Sequence, residues 1–150
     1  MKKFLFLAFL LISASIAKAE QLVIQTNNTT MVLNVFDNKQ PQYVYYGTKL
    51  SDFDLKNLQS PRNGRMDAYP AYGMNCPAEA AIAITHSDGN MSTELLTKSV
   101  NKQIPIDEGH YEVRIRLVDT VYPITVDLCY KTYYNEDIIE TRTEIQNGEK

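Results

Sequence analysis

The sequence has no tryptophan, and among its 150 residues there are only two cysteines, two histidines and six glycines. Each scarcity removes a class of function. His86 and His110 stand apart from each other and from cysteine, so neither belongs to a pair at metal-ligand spacing and no metal site is expected. Both lie beside turn residues and read as solvated loop histidines. The glycines never form a phosphate-cradling loop, and there is no Gly-x-Ser-x-Gly elbow, His-Glu-x-x-His or Cys-x-x-Cys. No cofactor is expected, and no nucleophile, acid and base can be composed into a catalytic set. Internal repeats, low-complexity tracts and Pro/Ser-rich linkers are missing too, so the chain should fold as one unit.

Long apolar runs are equally scarce. The one at the N-terminus, Phe4 to Ile12, follows Lys2 and Lys3 and leads to Ala17-Lys18-Ala19 before Glu20. This is the pattern of a secretory signal peptide cut after Ala19. It falls short of the roughly 20 residues that cross a bilayer, and no cysteine follows the cut to carry a lipid. The expected plan is a signal peptide over 1–19 and one exported domain over 20–150, periplasmic or extracellular. Loss of Lys2, Lys3 and Lys18 would leave 12 basic against 18 acidic residues and move the formal charge from −3 to −6. That balance argues against nucleic acid or an anionic membrane as partner. About 130 residues suffice for one domain with a core, but not for a catalytic barrel of roughly 250 as well. An oxidising compartment would let Cys76 and Cys129 pair. Their spacing constrains nothing, and Cys129 falls on the polar face of its strand, which favours two independent thiols.

What the chain does contain is alternation. Tyr111, Val113, Ile115 and Leu117 alternate with Glu112, Arg114 and Arg116. After an Asp119-Thr120 turn, Tyr122, Ile124, Val126, Leu128 and Tyr130 alternate with Pro123, Thr125, Asp127, Cys129 and Lys131, completing a long antiparallel hairpin. Tyr134 to Asp137 turns into a third strand through Ile139, Thr141, Thr143 and Ile145. That strand runs into Asn147-Gly148, a type I′ hairpin signal with only Glu149 and Lys150 after it. A returning partner strand is therefore expected beyond Lys150, as in the front end of a longer protein. Earlier, Leu22 to Thr26, Met31 to Asp37 and Gln42 to Tyr46 read as a meander, the second run being apolar enough for a sheet centre. Tyr43 and Tyr45 share one face of the third run. Ser51 caps a short helix with Asp54 at N3. It lies in a surface excursion from Lys49 to Pro77 that includes a turn at Pro61 to Gly64. Ala80, Ile82 and Ile84 suggest another strand, Ser87 to Asn90 a turn, Thr93 to Val100 a strand, and Ile104-Pro105-Ile106 an irregular edge piece. Nine or ten strands and one helix make an all-β antiparallel sandwich.

Two acidic pairs could be asked to cleave a glycosidic bond, which needs facing carboxylates. Asp52/Asp54 suits a helix start and Glu136/Asp137 a tight turn. Ten tyrosines could substitute for tryptophan in a sugar platform. Tyr122 and Tyr130 fall on the core face, leaving Tyr43, Tyr45, Tyr69, Tyr72, Tyr133 and Tyr134 as exposed candidates. Packing in the sheets is the plainer use for them. Asn27, Asn28 and Asn90 head sequons that matter only in a eukaryotic secretory route, whereas the signal peptide has a bacterial look.

Several segments together resemble a known domain. Tyr45-Tyr46-Gly47-Thr48-Lys49-Leu50, then Ala68-Tyr69-Pro70-Ala71-Tyr72-Gly73, then Asp88-Gly89-Asn90 with Leu95 and Ser99, and Val126-Asp127-Leu128-Cys129-Tyr130 leading to Asp137-Ile138-Ile139 are similar, in that order, to the N-terminal domain of the family 36 α-galactosidases. The stretch around Tyr69, Pro70, Tyr72 and Gly73 is the most specific. The resemblance implies a supersandwich-like β-domain preceding a (β/α)8 barrel that holds both catalytic aspartates. It also implies retaining hydrolysis of terminal α-galactosides without cofactor, and a homo-oligomer in the full-length enzyme. None of the barrel motifs occurs here, so no catalytic residue is carried over. The segment between Gly47 and Tyr69 is shorter than the family loop that carries a sugar-contacting acid. Asp52 and Asp54 are the nearest acids, without a clear match. The alternative is a stand-alone exported sandwich that binds carbohydrate or protein through the Lys49 to Pro77 excursion.

Overall fold

The computed structural model describes residues 20–59, 66–74, 79–107 and 110–150. The expected signal segment, the Pro61 to Gly64 turn, Cys76, Pro77 and Gly109 lie outside them. The first sheet is antiparallel, in the order β1 (Glu20–Gln25), β2 (Thr29–Val35), β3 (Gln42–Thr48). The second is an antiparallel meander of β4 (Leu95–Asp107), β5 (His110–Asp119), β6 (Ile124–Tyr133) and β7 (Ile138–Asn147). Helix α1 (Asp52–Asn57) lies in the long connection between them. Its Ser51–Asp54 capping box is present as read, and it buries no side chain.

The inner faces of the two sheets meet in one apolar core. Leu22 and Ile24 of β1 and Met31, Leu33 and Val35 of β2 face Leu95, Val113, Ile115, Leu117, Ile124, Val126, Leu128 and Tyr130. At period two these residues share a face of each strand, so burial of that face specifies the register. The apolar β2 is central to its sheet and buried from Thr30 to Val35, as expected.

Latches join the sheets at both ends. The Asp137 carboxylate accepts the Thr26 hydroxyl at 2.8 Å and the Asn28 N–H at 2.6 Å. The Asn27 N–H donates to the Tyr134 carbonyl at 3.0 Å. At the other end, Lys39 O accepts the Thr97 N–H at 2.9 Å and the Thr97 hydroxyl at 2.7 Å. Glu136 and Asp137 thus belong to a turn, and Asp137, at φ 57°, also ties β1–β2 to β6–β7.

Seven strands are present among the described residues, against nine or ten expected. Ala80, Ile82 and Ile84 do turn inward by alternation, but that stretch has a single parallel bridge, Ile82 to Ala71, and no ladder. The Ile104-Pro105-Ile106 piece is absorbed into β4, with Pro105 tolerated because β4 is an edge strand bulged at that point. Tyr111, expected inward, is 45% exposed near the start of β5. Tyr122 belongs to the turn before β6. Asn147-Gly148 forms no type I′ turn. Neither residue has positive φ, Asn147 pairs with Ile124, and the Gly148 N–H donates to the Pro123 carbonyl at 2.9 Å.

Candidate functional site

A polar cluster surrounds His86, which lies in a loop as read but is buried, not solvated. The residue is 2% exposed. Its ring stacks on Tyr122 at 3.5 Å between centroids and 7° between planes. Nδ1 meets a Glu149 carboxylate oxygen, and Nε2 lies 3.1 Å from the Thr93 hydroxyl. The other Glu149 oxygen accepts the Ser87 N–H at 2.9 Å. The Tyr122 hydroxyl donates to Asp88 at 2.9 Å and accepts from the Asn90 amide at 2.9 Å. Nothing in the sequence around His86 signals this, because Glu149 is 63 positions away.

Hydroxyl, imidazole and carboxylate in that order is the arrangement that activates a nucleophile. Here Thr93 is 1% exposed and His86 is covered by the Tyr122 ring, so the hydroxyl and the imidazole are largely withdrawn from solvent. The cluster fastens the residues after β7 to the 86–90 turn. A cleft of about 480 Å³ runs beside it, lined by Asn90, Ser92, Glu94, Asp119 and Thr120. Its acids are already committed: Asp119 accepts three backbone N–H groups, from Glu94, Val121 and Tyr122, and Glu94 accepts the Thr120 hydroxyl.

The tyrosines do not assemble into a platform. Tyr43 and Tyr69 pack against the core, and the Tyr43 hydroxyl lies 3.5 Å from that of the buried Tyr130. Burial pushes the Tyr130 hydroxyl well above the usual phenol range, with Tyr43 adding to the shift, and burial raises Tyr69 too. Tyr133 donates to Glu140 and Tyr134 accepts from Lys49. Tyr45 lies across Gly47, where a Cβ would come within 2.8 Å of the tyrosine oxygen. Tyr46 and Tyr72 stay exposed, at 68% and 51%. Gly73, at φ 96°, leaves no room for a Cβ beside the Ser92 backbone. The motif residues Tyr45, Gly47, Tyr69, Pro70 and Gly73 therefore serve packing: the Pro70 carbonyl accepts the Ala81 N–H at 2.7 Å, and Ala71 is 1% exposed.

Between the edge of β3 and the inner face of β7 lies an apolar groove of about 460 Å³, lined by Met31, Tyr43, Tyr46, Met66, Ile139 and Thr141. The first sheet ends at β3 and does not extend over β7, which leaves Ile145 55% exposed. The opposite face of the second sheet carries a charge lattice. Arg116 binds Asp127 through two hydrogen bonds of 2.7 and 2.8 Å and holds its carboxyl below the usual range. Arg114 and Arg142 enclose Glu112, which is 4% exposed. Cys129 sits beneath this lattice, 1% exposed and free, and burial pushes its thiol up. Its face is polar, as the alternation indicated, but the long side chains of neighbouring strands close over it. Cys76 is outside the described residues.

No group of three or more metal-ligating side chains exists among the described residues. Asp52 and Asp54 occupy the first turn of α1, where Asp54 is held by Ser51. The two acids of the cleft beside His86, Glu94 and Asp119, are both engaged as hydrogen-bond acceptors.

Residues 39–150 match the family described as the glycosyl hydrolase family 36 N-terminal domain. No curated protein matches the chain. Among solved structures, the fold is similar to that of the family 36 α-galactosidase AgaA from Geobacillus stearothermophilus, at 20% identity and TM-score 0.71 over 87% of this chain and 22% of that one. AgaA variants have also been solved in complex with raffinose and with stachyose. The Lactobacillus brevis α-galactosidase is similar at 15% identity and TM-score 0.67, over 83% of this chain and 21% of that one. The chain thus spans about a fifth of the length of these structures.

Proposed function

The chain belongs to the glycosyl hydrolase family 36 N-terminal domain family, and on that ground we propose that it is the noncatalytic N-terminal part of an exported α-galactosidase. In this reading the sandwich supports a separate (β/α)8 barrel, which removes terminal α-galactose from galacto-oligosaccharides or galactomannan side chains. The α-galactosidases with a similar fold are several times longer, and raffinose and stachyose are ligands of one of them. The observation that carries the proposal is the family match over 39–150 on a chain whose hydroxyl–imidazole–carboxylate set is largely buried. The full-length enzyme would be a homo-oligomer, cofactor-free, with the 1–19 segment removed on export.

Reading the coding frame downstream of Lys150 tests this. A continuous frame encoding a barrel with two catalytic aspartates is the expected result, and a stop codon followed by unrelated sequence would contradict it. Export is checked separately, by N-terminal sequencing of protein recovered outside the cytoplasm, which should begin at Glu20.

A further inference from the structure

The Asn147-Gly148 dipeptide makes no turn, but its covalent chemistry remains. A glycine after asparagine presents a backbone nitrogen with no Cβ beside it, free to close on the side-chain amide carbon. In that closure the Gly148 nitrogen bonds to Asn147 Cγ. The side-chain amide departs with the glycine proton as ammonia, leaving a five-membered succinimide. Water then opens the ring at either carbonyl, which gives aspartate or isoaspartate at 147. No reagent other than water is consumed.

The two reacting groups are held in opposite senses. Asn147 is exposed, and its Oδ1 accepts the Glu149 N–H at 2.8 Å, a donor placed where charge collects on that oxygen as the ring closes. The electrophile is therefore prepared. The nucleophile is restrained: the Gly148 N–H donates to the Pro123 carbonyl at 2.9 Å, next to the Ile124–Asn147 pair, which engages its proton and fixes its peptide plane. Glu149 secures that restraint from the far side. Its carboxylate meets His86 Nδ1 and accepts the Ser87 N–H at 2.9 Å, with the His86 ring buried beneath Tyr122.

We propose that Asn147 is a deamidation site kept closed by the docking of Glu149 on His86 and Ser87, and that conversion to isoaspartate undoes this docking. Isoaspartate routes the main chain through Cβ and Cγ, which inserts one extra backbone atom before Gly148. The Gly148 contact with Pro123 and the Glu149 contacts with the 86–90 turn lie on consecutive residues, so the insertion displaces both. A new carboxylate at 147 also adds negative charge beside Glu149. The change is covalent and runs one way, so the segment after β7 is released from the 86–90 turn without any ligand.

Mass spectrometry of the 143–150 tryptic peptide, from purified protein held at mildly alkaline pH, tests this, with fragment ions placing the change at Asn147. Asn63-Gly64, the other Asn-Gly pair in the sequence, is the reference within the same sample. Conversion of Asn147 should be slower in the folded protein than in guanidinium by about tenfold or more, and Glu149→Ala should raise the folded rate by about tenfold with Asn63 unchanged. The isoaspartate fraction, separated by its added charge and identified by isoaspartyl methylation, should show His86 ring resonances that match those of Glu149→Ala. Equal rates in folded and denatured wild type would overturn the proposal, and this comparison holds even if Glu149→Ala fails to fold. So would a folded Glu149→Ala that leaves Asn147 as slow as before or speeds both sites alike, or His86 resonances unmoved by isoaspartate.

Discussion

Gly73 and Gly89 both hold positive φ, at 96° and 86°, but their surroundings separate them. A Cβ on Gly73 would lie 2.9 Å from the Ser92 Cα, whereas one on Gly89 would meet open space. Gly89→Ala should cost about 1 kcal/mol, the left-handed penalty alone. Gly73→Ala adds a backbone clash and should cost about 2–4 kcal/mol, read from denaturant midpoints at constant slope. Equal losses would show that Ser92 moves aside freely. Asp127 gives a pH dependence at the same scale. Arg116 depresses its folded pKa, so its contribution to stability is complete above the unfolded value of about 3.9 and is lost as pH falls through the lower folded value. Asp137, depressed by hydrogen bonds from Asn28, acts in the same direction. Thermal midpoints should therefore drop below about pH 4, and less steeply in Asp127→Asn, which should also be less stable at neutral pH. An unchanged acid slope in that variant would remove Asp127 from the account.

Strand order within each sheet makes position along an element matter more than residue type. Ile115, on the interior β5, is fully buried, and Ile145, on the edge strand β7, is 55% exposed. Ile115→Ala should cost about 2–5 kcal/mol by transfer and cavity terms, and Ile145→Ala no more than about 0.5 kcal/mol in the monomer. Comparable losses would mean that β7 is covered in solution. The same contrast explains what the sequence discloses. The β5–β6 hairpin is legible because Val113 to Tyr130 alternates over a face that is in fact buried, and the α1 cap because Ser51 and Asp54 act locally. The Ala80 to Ile84 stretch alternates too, but backbone pairing depends on a neighbour, and only Ala71 is in place. His86 and Cys129 depart from their sequence reading for a shared reason. Their burial comes from side chains remote in sequence, Glu149 and Tyr122 for one and the arginine lattice for the other, and no local pattern encodes such cover.

For the whole molecule, the two sheets and their latches form a scaffold that draws Thr93, His86 and Glu112 into its interior. The Thr93–His86–Glu149 set is the nearest approach to catalytic geometry, and it lies under Tyr122. Disrupting it should therefore change stability and not turnover. Glu149→Gln keeps the shape but removes a charged acceptor from His86 and Ser87, and should lower stability by about 1–3 kcal/mol. A stability unchanged at neutral pH would show that the docking of Glu149 is incidental. The chain belongs to the glycosyl hydrolase family 36 N-terminal domain family. The direct measurement is release of the aryl alcohol from a synthetic aryl α-galactoside by the purified chain, freed of host enzyme. The account predicts a rate indistinguishable from the uncatalysed reaction, identical in wild type and Glu149→Gln. Turnover by the wild-type chain that disappears in His86→Ala would contradict it.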